Sequence, residues 1–194
     1  ISYGLFCKEI NNLKIAKNLF NLSIKKYPSK INAYILLAEI LRNENKVNDA
    51  LKTLYAAKKI EKSNPDIDYN LSISYKTIKS FREAILSIDS AIKLQPKNQI
   101  YQILKADILV EFFKNEEAKK ILVNLKLLND SLLYFQKEIL ISKIFINQKK
   151  YKLAEDVLLG LRKLFSKEKI LFLNLSDLYF CLLYTSDAAD EWPG

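Results

Sequence analysis

The 194-residue sequence has no histidine, no methionine, three glycines and four prolines. The absence of histidine excludes Ser-His-Asp triads, histidine-ligated zinc and imidazole acid-base catalysis together. The scarcity of glycine and proline argues against turn-rich β architectures, which need these residues at their turns. Hydrophobic residues make up 49% and charged residues 27%, which is typical of a globular chain. The composition therefore predicts a helical protein.

Other features of enzymes and membrane proteins are also missing. The two cysteines, Cys7 and Cys181, lie near opposite ends and have no metal-ligand spacing, so neither a disulfide framework nor a metal site is expected. The sequence contains no phosphate-binding glycine loop and no nucleophile elbow. A run of about 20 apolar residues, which a transmembrane helix would need, is absent. We therefore expect a cytoplasmic, non-enzymatic chain without a cofactor, and leave the activity of any longer parent protein open.

The net charge is +9, from 31 basic and 22 acidic residues. A basic balance of this size suits nucleic acids, anionic membranes or acidic proteins. Only three of the basic residues are arginine, although arginine is the residue best suited to reading base edges and phosphates. The charge therefore indicates a solvated, lysine-rich surface, and nucleic acid is not the expected partner.

The two ends of the chain differ from the rest. The chain begins at Ile1 without a methionine, so we expect the natural amino terminus to be missing. Residues 181–191, CLLYTSDAADE, resemble the in-frame translation of a sequencing-library adapter. Residues 181–194 are therefore predicted to be a non-native tail to which no function is assigned. Self-association through truncated ends is a further expectation.

A repeat of about 34 residues runs through the sequence. It is marked by alanines 34, 34, 34 and 36 residues apart: Ala16, Ala50, Ala84, Ala118 and Ala154. Four positions after each alanine stands a large apolar residue: Phe20, Leu54, Ile88, Leu122 and Leu158. A second series of small residues lies upstream: Gly4, Ala38, Ser72, Ala106, Ser142 and Ser176. Apolar spacings of three and four place each series on one helix face, so each repeat is predicted to contain two amphipathic helices.

Small residues at these positions have a steric reason. Where two helices cross at about 8 to 10 Å, a side chain that points at the partner's backbone must be small. One helix pair cannot bury its apolar stripe alone, whereas stacked pairs form a continuous core. In the fourth repeat, Asn115 occupies a position that is apolar in the other repeats. The turn before Asn115 is therefore predicted to be irregular.

This pattern resembles the tetratricopeptide repeat, whose 34-residue unit has the same helix-turn-helix layout. Most of the repeats lack the family's tryptophan and glycine, and two extra residues fall near Asn129 and Asp130. The resemblance implies an all-α fold, a right-handed superhelical solenoid of antiparallel helix pairs over residues 1–180. The predicted repeats are residues 1–30, 31–64, 65–98, 99–134 and 135–168, with a partial repeat at 169–180.

In this family the first helix of each repeat lines a concave groove that binds peptides. The resemblance assigns eleven residues to that groove: Glu39, Arg42, Tyr69, Asn70, Ile73, Lys76, Ile103, Asp107, Val110, Ile139 and Lys143. They combine an apolar floor with basic positions, which suits a peptide that carries acidic and apolar side chains. The alternative is that the apolar column packs against neighbouring helices and that the basic side chains are only solvated.

Three functions remain open at the level of sequence. The first is a protein-protein interaction scaffold that binds a peptide or protein partner in its concave groove. The second is the recruiting arm of a larger transferase whose catalytic domain is missing. The third is an RNA-binding helical repeat, which the charge suggests but the apolar groove positions do not.

Overall fold

The computed structural model describes residues 12–125 and 130–190, and within these ranges the chain forms ten α-helices and no β-strand. The all-α fold class predicted from the sequence is thus confirmed. The helices are α1 (Leu13–Lys26), α2 (Ile31–Asn43), α3 (Val47–Ile60), α4 (Pro65–Thr77), α5 (Phe81–Leu94), α6 (Gln99–Glu111), α7 (Asn115–Asn124), α8 (Ser131–Asn147), α9 (Tyr151–Leu164) and α10 (Lys169–Asp190).

The helices alternate between two types, as the two series of small residues predict. The even-numbered helices carry the series that includes Ala38 and are the first helices of the predicted repeats. The odd-numbered helices carry the alanine series that includes Ala50 and are the second helices. The helix predicted around Gly4 lies outside the described residues. Among the residues that the structure describes, no helix combines the length and the apolar composition needed to cross a membrane.

Both series of small residues lie at helix contacts. All five alanines of the second helices and the five large apolar residues that follow them are fully buried. Ala38, Ser72, Ala106 and Ser142 of the first helices are fully buried as well. Ser176 differs, because its face of α10, the last helix, is exposed together with Phe172 and Tyr179. The predicted helix crossings are therefore confirmed in the described part of the chain, except at Ser176.

The contacts divide the chain into an amino-terminal half, residues 1–101, and a carboxy-terminal half, residues 102–194. The core of the amino-terminal half includes Phe20 of α1, Leu37 of α2, Leu54 of α3 and Ile67 of α4. The core of the carboxy-terminal half joins α8, α9 and α10 through the buried side chains Phe135, Ile139, Leu158, Leu161, Leu171 and Leu178. Each half thus buries its apolar stripes between helices that are close in sequence.

The turns from a first to a second helix share one backbone geometry. A residue with positive φ, between 58° and 59°, occurs at the same repeat position in four turns: Asn45, Lys79, Phe113 and Lys149. In the first of these turns, the Lys46 amide donates to the Leu41 carbonyl at 2.8 Å and the Asn45 amide to the Arg42 carbonyl at 2.9 Å. This pair of bonds is a Schellman motif, which satisfies the last carbonyls of a helix.

The prediction of an irregular turn before Asn115 is wrong. Phe113 has a φ of 59°, and the Lys114 amide donates to the Leu109 carbonyl at 2.8 Å, as in the other turns. The reason is that backbone hydrogen bonds determine this turn, whereas the side chain at position 115 lies beyond them.

The irregularity lies instead at the other end of this repeat. Helix α7 has 10 residues, whereas the other second helices have 14. Helix α8 has 17 residues, whereas α2, α4 and α6 have 13, and Asp130 caps it by accepting from the Leu133 amide at 2.9 Å. One turn is thus lost from α7 and one is gained at the start of α8. The two extra residues fall between these two changes.

We predict that Ala50→Leu lowers the free energy of unfolding by about 1 to 3 kcal/mol, because three additional carbons cannot fit where α3 crosses its neighbours. The measurement is the urea midpoint followed by circular dichroism. Ala56→Leu is the matched control, since Ala56 is exposed on the same helix. Equal midpoints for the two variants would contradict the proposed crossing.

We predict that Phe113→Gly raises the free energy of unfolding by about 1 kcal/mol, because a bulky side chain disfavours the left-handed backbone conformation. The Phe113 side chain is 75% exposed and so has little packing to lose. Asn45→Gly serves as the control and should change stability less, since asparagine tolerates this conformation. A lower urea midpoint for Phe113→Gly would show that its ring makes stabilising contacts.

Candidate functional site

The eleven predicted groove residues lie on first helices in both halves. Glu39 and Arg42 lie on α2, and Tyr69, Asn70, Ile73 and Lys76 lie on α4. Ile103, Asp107 and Val110 lie on α6, and Ile139 and Lys143 lie on α8. The first six belong to the amino-terminal half and the other five to the carboxy-terminal half. Two candidate surfaces result.

In the carboxy-terminal half, the three apolar candidates Ile103, Val110 and Ile139 are buried. Their side chains therefore contribute to helix packing and present little surface to a ligand. Asp107 and Lys143 are partly exposed. Accessible polar groups thus remain in this half, but the apolar floor predicted from the sequence is covered.

In the amino-terminal half, most of the candidates remain accessible. Glu39, Arg42, Tyr69, Ile73 and Lys76 are partly exposed, and so is Ile35, whereas Asn70 is buried. Spacings of three and four residues place one set on a single face of α2 and the other on a single face of α4. Helices α2 and α4 contact each other. We call the surface formed by Ile35, Glu39, Arg42, Tyr69, Ile73 and Lys76 the amino-terminal groove.

The Arg42 guanidinium connects α2 to α4. Its Nη2 donates to the Asn70 Oδ1 at 3.1 Å, and its Nη1 lies 3.3 Å from the Ser74 Oγ and 3.5 Å from the Asn70 carbonyl oxygen. These acceptors are neutral, and they orient the cation. Burial lowers the pKa of Arg42, while the nearby Glu39 acts in the opposite direction. An arginine stays protonated at neutral pH all the same, so the groove contains a fixed, partly desolvated positive charge.

Asn70 bridges α2 and α4 through its side-chain amide. Its Oδ1 accepts from Arg42, and its Nδ2 donates to the Asp66 carbonyl at 2.8 Å. Asn174, at the same repeat position, makes the equivalent bond to the Ile170 carbonyl at 2.7 Å. An asparagine at this position can therefore hydrogen-bond to the backbone of its own helix. Its place in the sequence does not by itself indicate a contact with a peptide.

A tyrosine pair continues the groove at the start of α6. The rings of Tyr69 and Tyr101 lie 5.2 Å apart between centroids, with a tilt of 30°. The Tyr101 hydroxyl donates to Asp66 Oδ1 at 2.8 Å. Burial, followed by this hydrogen bond, raises the pKa of Tyr101. Burial also raises the pKa of Tyr69. Both hydroxyls therefore stay protonated at neutral pH, and the Tyr69 ring is supported from one side.

The sequence-based assignment missed three residues that hold this groove in place: Asp66, Ser74 and Tyr101. The sequence did contain an indication of the contact between Asp66 and Tyr101. The two residues are 35 positions apart, about one repeat, and both lie at the start of a first helix. No group of three or more acidic or cysteine side chains suited to a metal ion occurs in residues 12–125 and 130–183.

Several proteins of known structure are similar to this chain. A tetratricopeptide repeat protein from Parabacteroides merdae has a TM-score of 0.75 at 16% identity, over 98% of this chain and 75% of that one. A thermophilic TPR protein of Thermus thermophilus has a TM-score of 0.76 at 14% identity, over 93% and 97%. YrrB, described as a TPR protein with an unusual peptide-binding site, has a TM-score of 0.57 at 19% identity, over 82% and 81%.

No model of a protein family matches the sequence, and no curated protein sequence does either. The alternation of helices, the buried small residues and the similar solved structures agree with one another. This chain has the fold of the tetratricopeptide-repeat proteins, a superhelical solenoid of antiparallel helix pairs.

Proposed function

We propose that this chain is a non-enzymatic interaction module whose amino-terminal groove binds a peptide segment of a partner protein. The main support is the guanidinium of Arg42, which α4 holds in place beside partly exposed apolar side chains. A peptide bound there would bury apolar surface and pair a carboxylate with a cation that is already oriented. Both gains come without rearrangement of the groove.

The chemistry of the groove defines the ligand class. Ile35, Tyr69 and Ile73 offer apolar contact along two neighbouring helices, which suits a peptide with alternating or helically spaced apolar side chains. Arg42 can form a charge-assisted hydrogen bond, which is stronger than a neutral one. The ligand is therefore a segment with an acidic side chain flanked by apolar ones. Glu39 in the same groove disfavours ligands with several acidic groups close together.

The assigned residues differ in their proposed roles. Arg42, Tyr69 and Ile73 are proposed to contact the ligand, with Glu39 and Lys76 at the edges of the surface. Asn70 positions Arg42 and has its own amide engaged. In the carboxy-terminal half, the partly exposed Asp107 and Lys143 are the candidates for ligand contact. Ile103, Val110 and Ile139 are proposed to support helix packing, since they are buried.

We predict that Arg42→Gln weakens the binding of acidic-apolar peptides about 10-fold or more, because the charge-assisted hydrogen bond is lost. The probes are peptides selected on the unmodified chain from a random display library, and isothermal titration gives the affinity. Each peptide is measured again after its Asp and Glu have been replaced by Asn and Gln. These neutral peptides should bind the unmodified chain about as weakly as the acidic ones bind Arg42→Gln.

The matched control is Arg82→Gln, which removes the same charge from an exposed site at the start of α5. It should leave the affinity unchanged. Circular dichroism checks that Arg42→Gln retains its helices. An equal loss of affinity in both variants would mean that net charge alone attracts the peptides, and an unchanged affinity in Arg42→Gln would remove Arg42 from the site.

A further inference from the structure

The connections that lead from a second helix to the next first helix form one edge of the amino-terminal half. They comprise residues 24–30, 58–64 and 92–98, each including the last turn of a second helix. Because neighbouring helices of the stack are antiparallel, all three connections emerge on the same side. We call the exposed lysines and apolar side chains of these segments the basic edge: Lys25, Lys26, Lys30, Lys59, Lys62, Lys93 and Lys97, with Tyr27, Ile60 and Leu94.

The charge of the chain is concentrated in this half. Residues 12–101 contain 16 basic and 8 acidic residues, a net charge of +8 in a chain whose total is +9. The three connecting segments contain eight lysines and a single acidic residue, Glu61. Two acidic residues follow at the start of α4. Asp68 pairs with Lys58, and Asp66 accepts from Tyr101. The seven exposed lysines of the basic edge are thus set against little negative charge.

Helix stability explains only part of this pattern. Lys25 and Lys26 lie in the last turn of α1, Lys59 in that of α3 and Lys93 in that of α5. A positive charge there is favourable, because the carboxyl end of a helix carries a partial negative charge.

Two lysines just before the next helices, Lys30 and Lys97, are not explained in this way. Lys30 is the N-cap of α2 and makes no capping hydrogen bond through its side chain. Lys97 stands two residues before the first residue of α6, whereas Lys62 lies three residues before α4 and only two residues after the end of α3. At a helix amino terminus the partial charge is positive, so a lysine there is unfavourable. Local helix stability therefore does not account for Lys30 and Lys97, although lysine also stands at the N-caps of α3, α7 and α9.

Each connection also exposes an apolar side chain directly after a lysine. Tyr27 is 51% exposed, Ile60 46% and Leu94 43%. Apolar side chains that project between lysines are suited to a membrane surface, where the lysines face anionic headgroups and the apolar groups enter the headgroup boundary. Packed helices lie about 8 to 10 Å apart, close to the Debye length at physiological ionic strength, so charges on neighbouring helices reinforce one another.

Nucleic acid fits the same edge less well. Two of the three apolar side chains, Ile60 and Leu94, are aliphatic and offer no ring on which a base can stack. All seven charged groups are lysines, which act as point charges rather than as forks that read base edges. We propose that the basic edge binds the surface of an anionic membrane, with Tyr27, Ile60 and Leu94 at the headgroup boundary. This inference does not depend on the peptide groove.

The test is sedimentation of the full chain with vesicles of phosphatidylcholine, alone or with about 30 mol% phosphatidylserine. We expect binding to the anionic vesicles and a decrease in binding as salt is added. The edge variant replaces three lysines that precede first helices: Lys30→Glu, Lys62→Glu and Lys97→Glu. It should lower the partition coefficient by about 100-fold, which corresponds to roughly 1 kcal/mol per lysine. Glutamate is favourable at helix amino termini, so the variant should stay folded.

The matched control has the same net charge, with its changes at exposed lysines away from the basic edge: Lys14→Glu, Lys52→Glu and Lys79→Glu. It should retain most of the binding. A tip variant with Tyr27→Ser, Ile60→Ser and Leu94→Ser keeps every charge and should lower the partition coefficient about 10-fold or more, since three apolar contacts are lost.

Three results would overturn the proposal. Equal binding to neutral and anionic vesicles, or none to either, would exclude electrostatic membrane binding. Equal losses in the edge and control variants would show that net charge acts without a defined surface. If the chain bound a uridine homopolymer in low salt but no vesicles, and the tip variant bound the homopolymer equally well, the basic edge would be assigned to nucleic acid.

Discussion

The close crossing of helices at small residues is the constraint on which the rest of this structure depends. A fully buried alanine on each second helix and a fully buried small residue on most first helices allow the backbones to approach, and a large apolar residue one turn later fills the adjacent space. Because every helix pair repeats this arrangement, its spacing appears in the sequence as a period of about 34 residues. At Ser176, which is exposed, the apolar side chains Phe172 and Tyr179 on the same face are exposed as well.

Backbone hydrogen bonds, rather than side chains, determine the turns from a first to a second helix. Asn, Lys and Phe occupy the same left-handed turn position, and similar backbone hydrogen bonds close all four turns. Side-chain patterns are therefore poor guides to these turns, and Asn115 misled the prediction for this reason. The two extra residues near Asp130 were visible in the sequence. Their effect on the lengths of the helices was not visible there. The loss of one turn from α7 and the gain of one in α8 depend on which helix ends can be capped and packed.

Helix packing limits which side chains of the candidate groove are accessible. Columns of equivalent residues appear uniform in the sequence, yet Ile103, Val110 and Ile139 are buried whereas Ile35, Tyr69 and Ile73 remain partly exposed. Polar groups are affected in the same way. The amide of Asn70 is engaged by Arg42 and by its own helix. The surface open to a partner is what remains after the helices have satisfied their own contacts.

The sequence by itself determined the helical class, the alternation of first and second helices and the burial of the small residues other than Ser176. These depend on periodicity along the chain, which a single sequence displays. Only the tertiary structure decided which groove positions are accessible, which atoms hold Arg42 and which lysines share an edge with Tyr27, Ile60 and Leu94. Exposure and hydrogen bonding between helices depend on residues from other repeats, about 28 to 35 positions away in the cases of Asn70, Ser74 and Tyr101. A period gives the position of a residue on its own helix, but not what the neighbouring helices place against it.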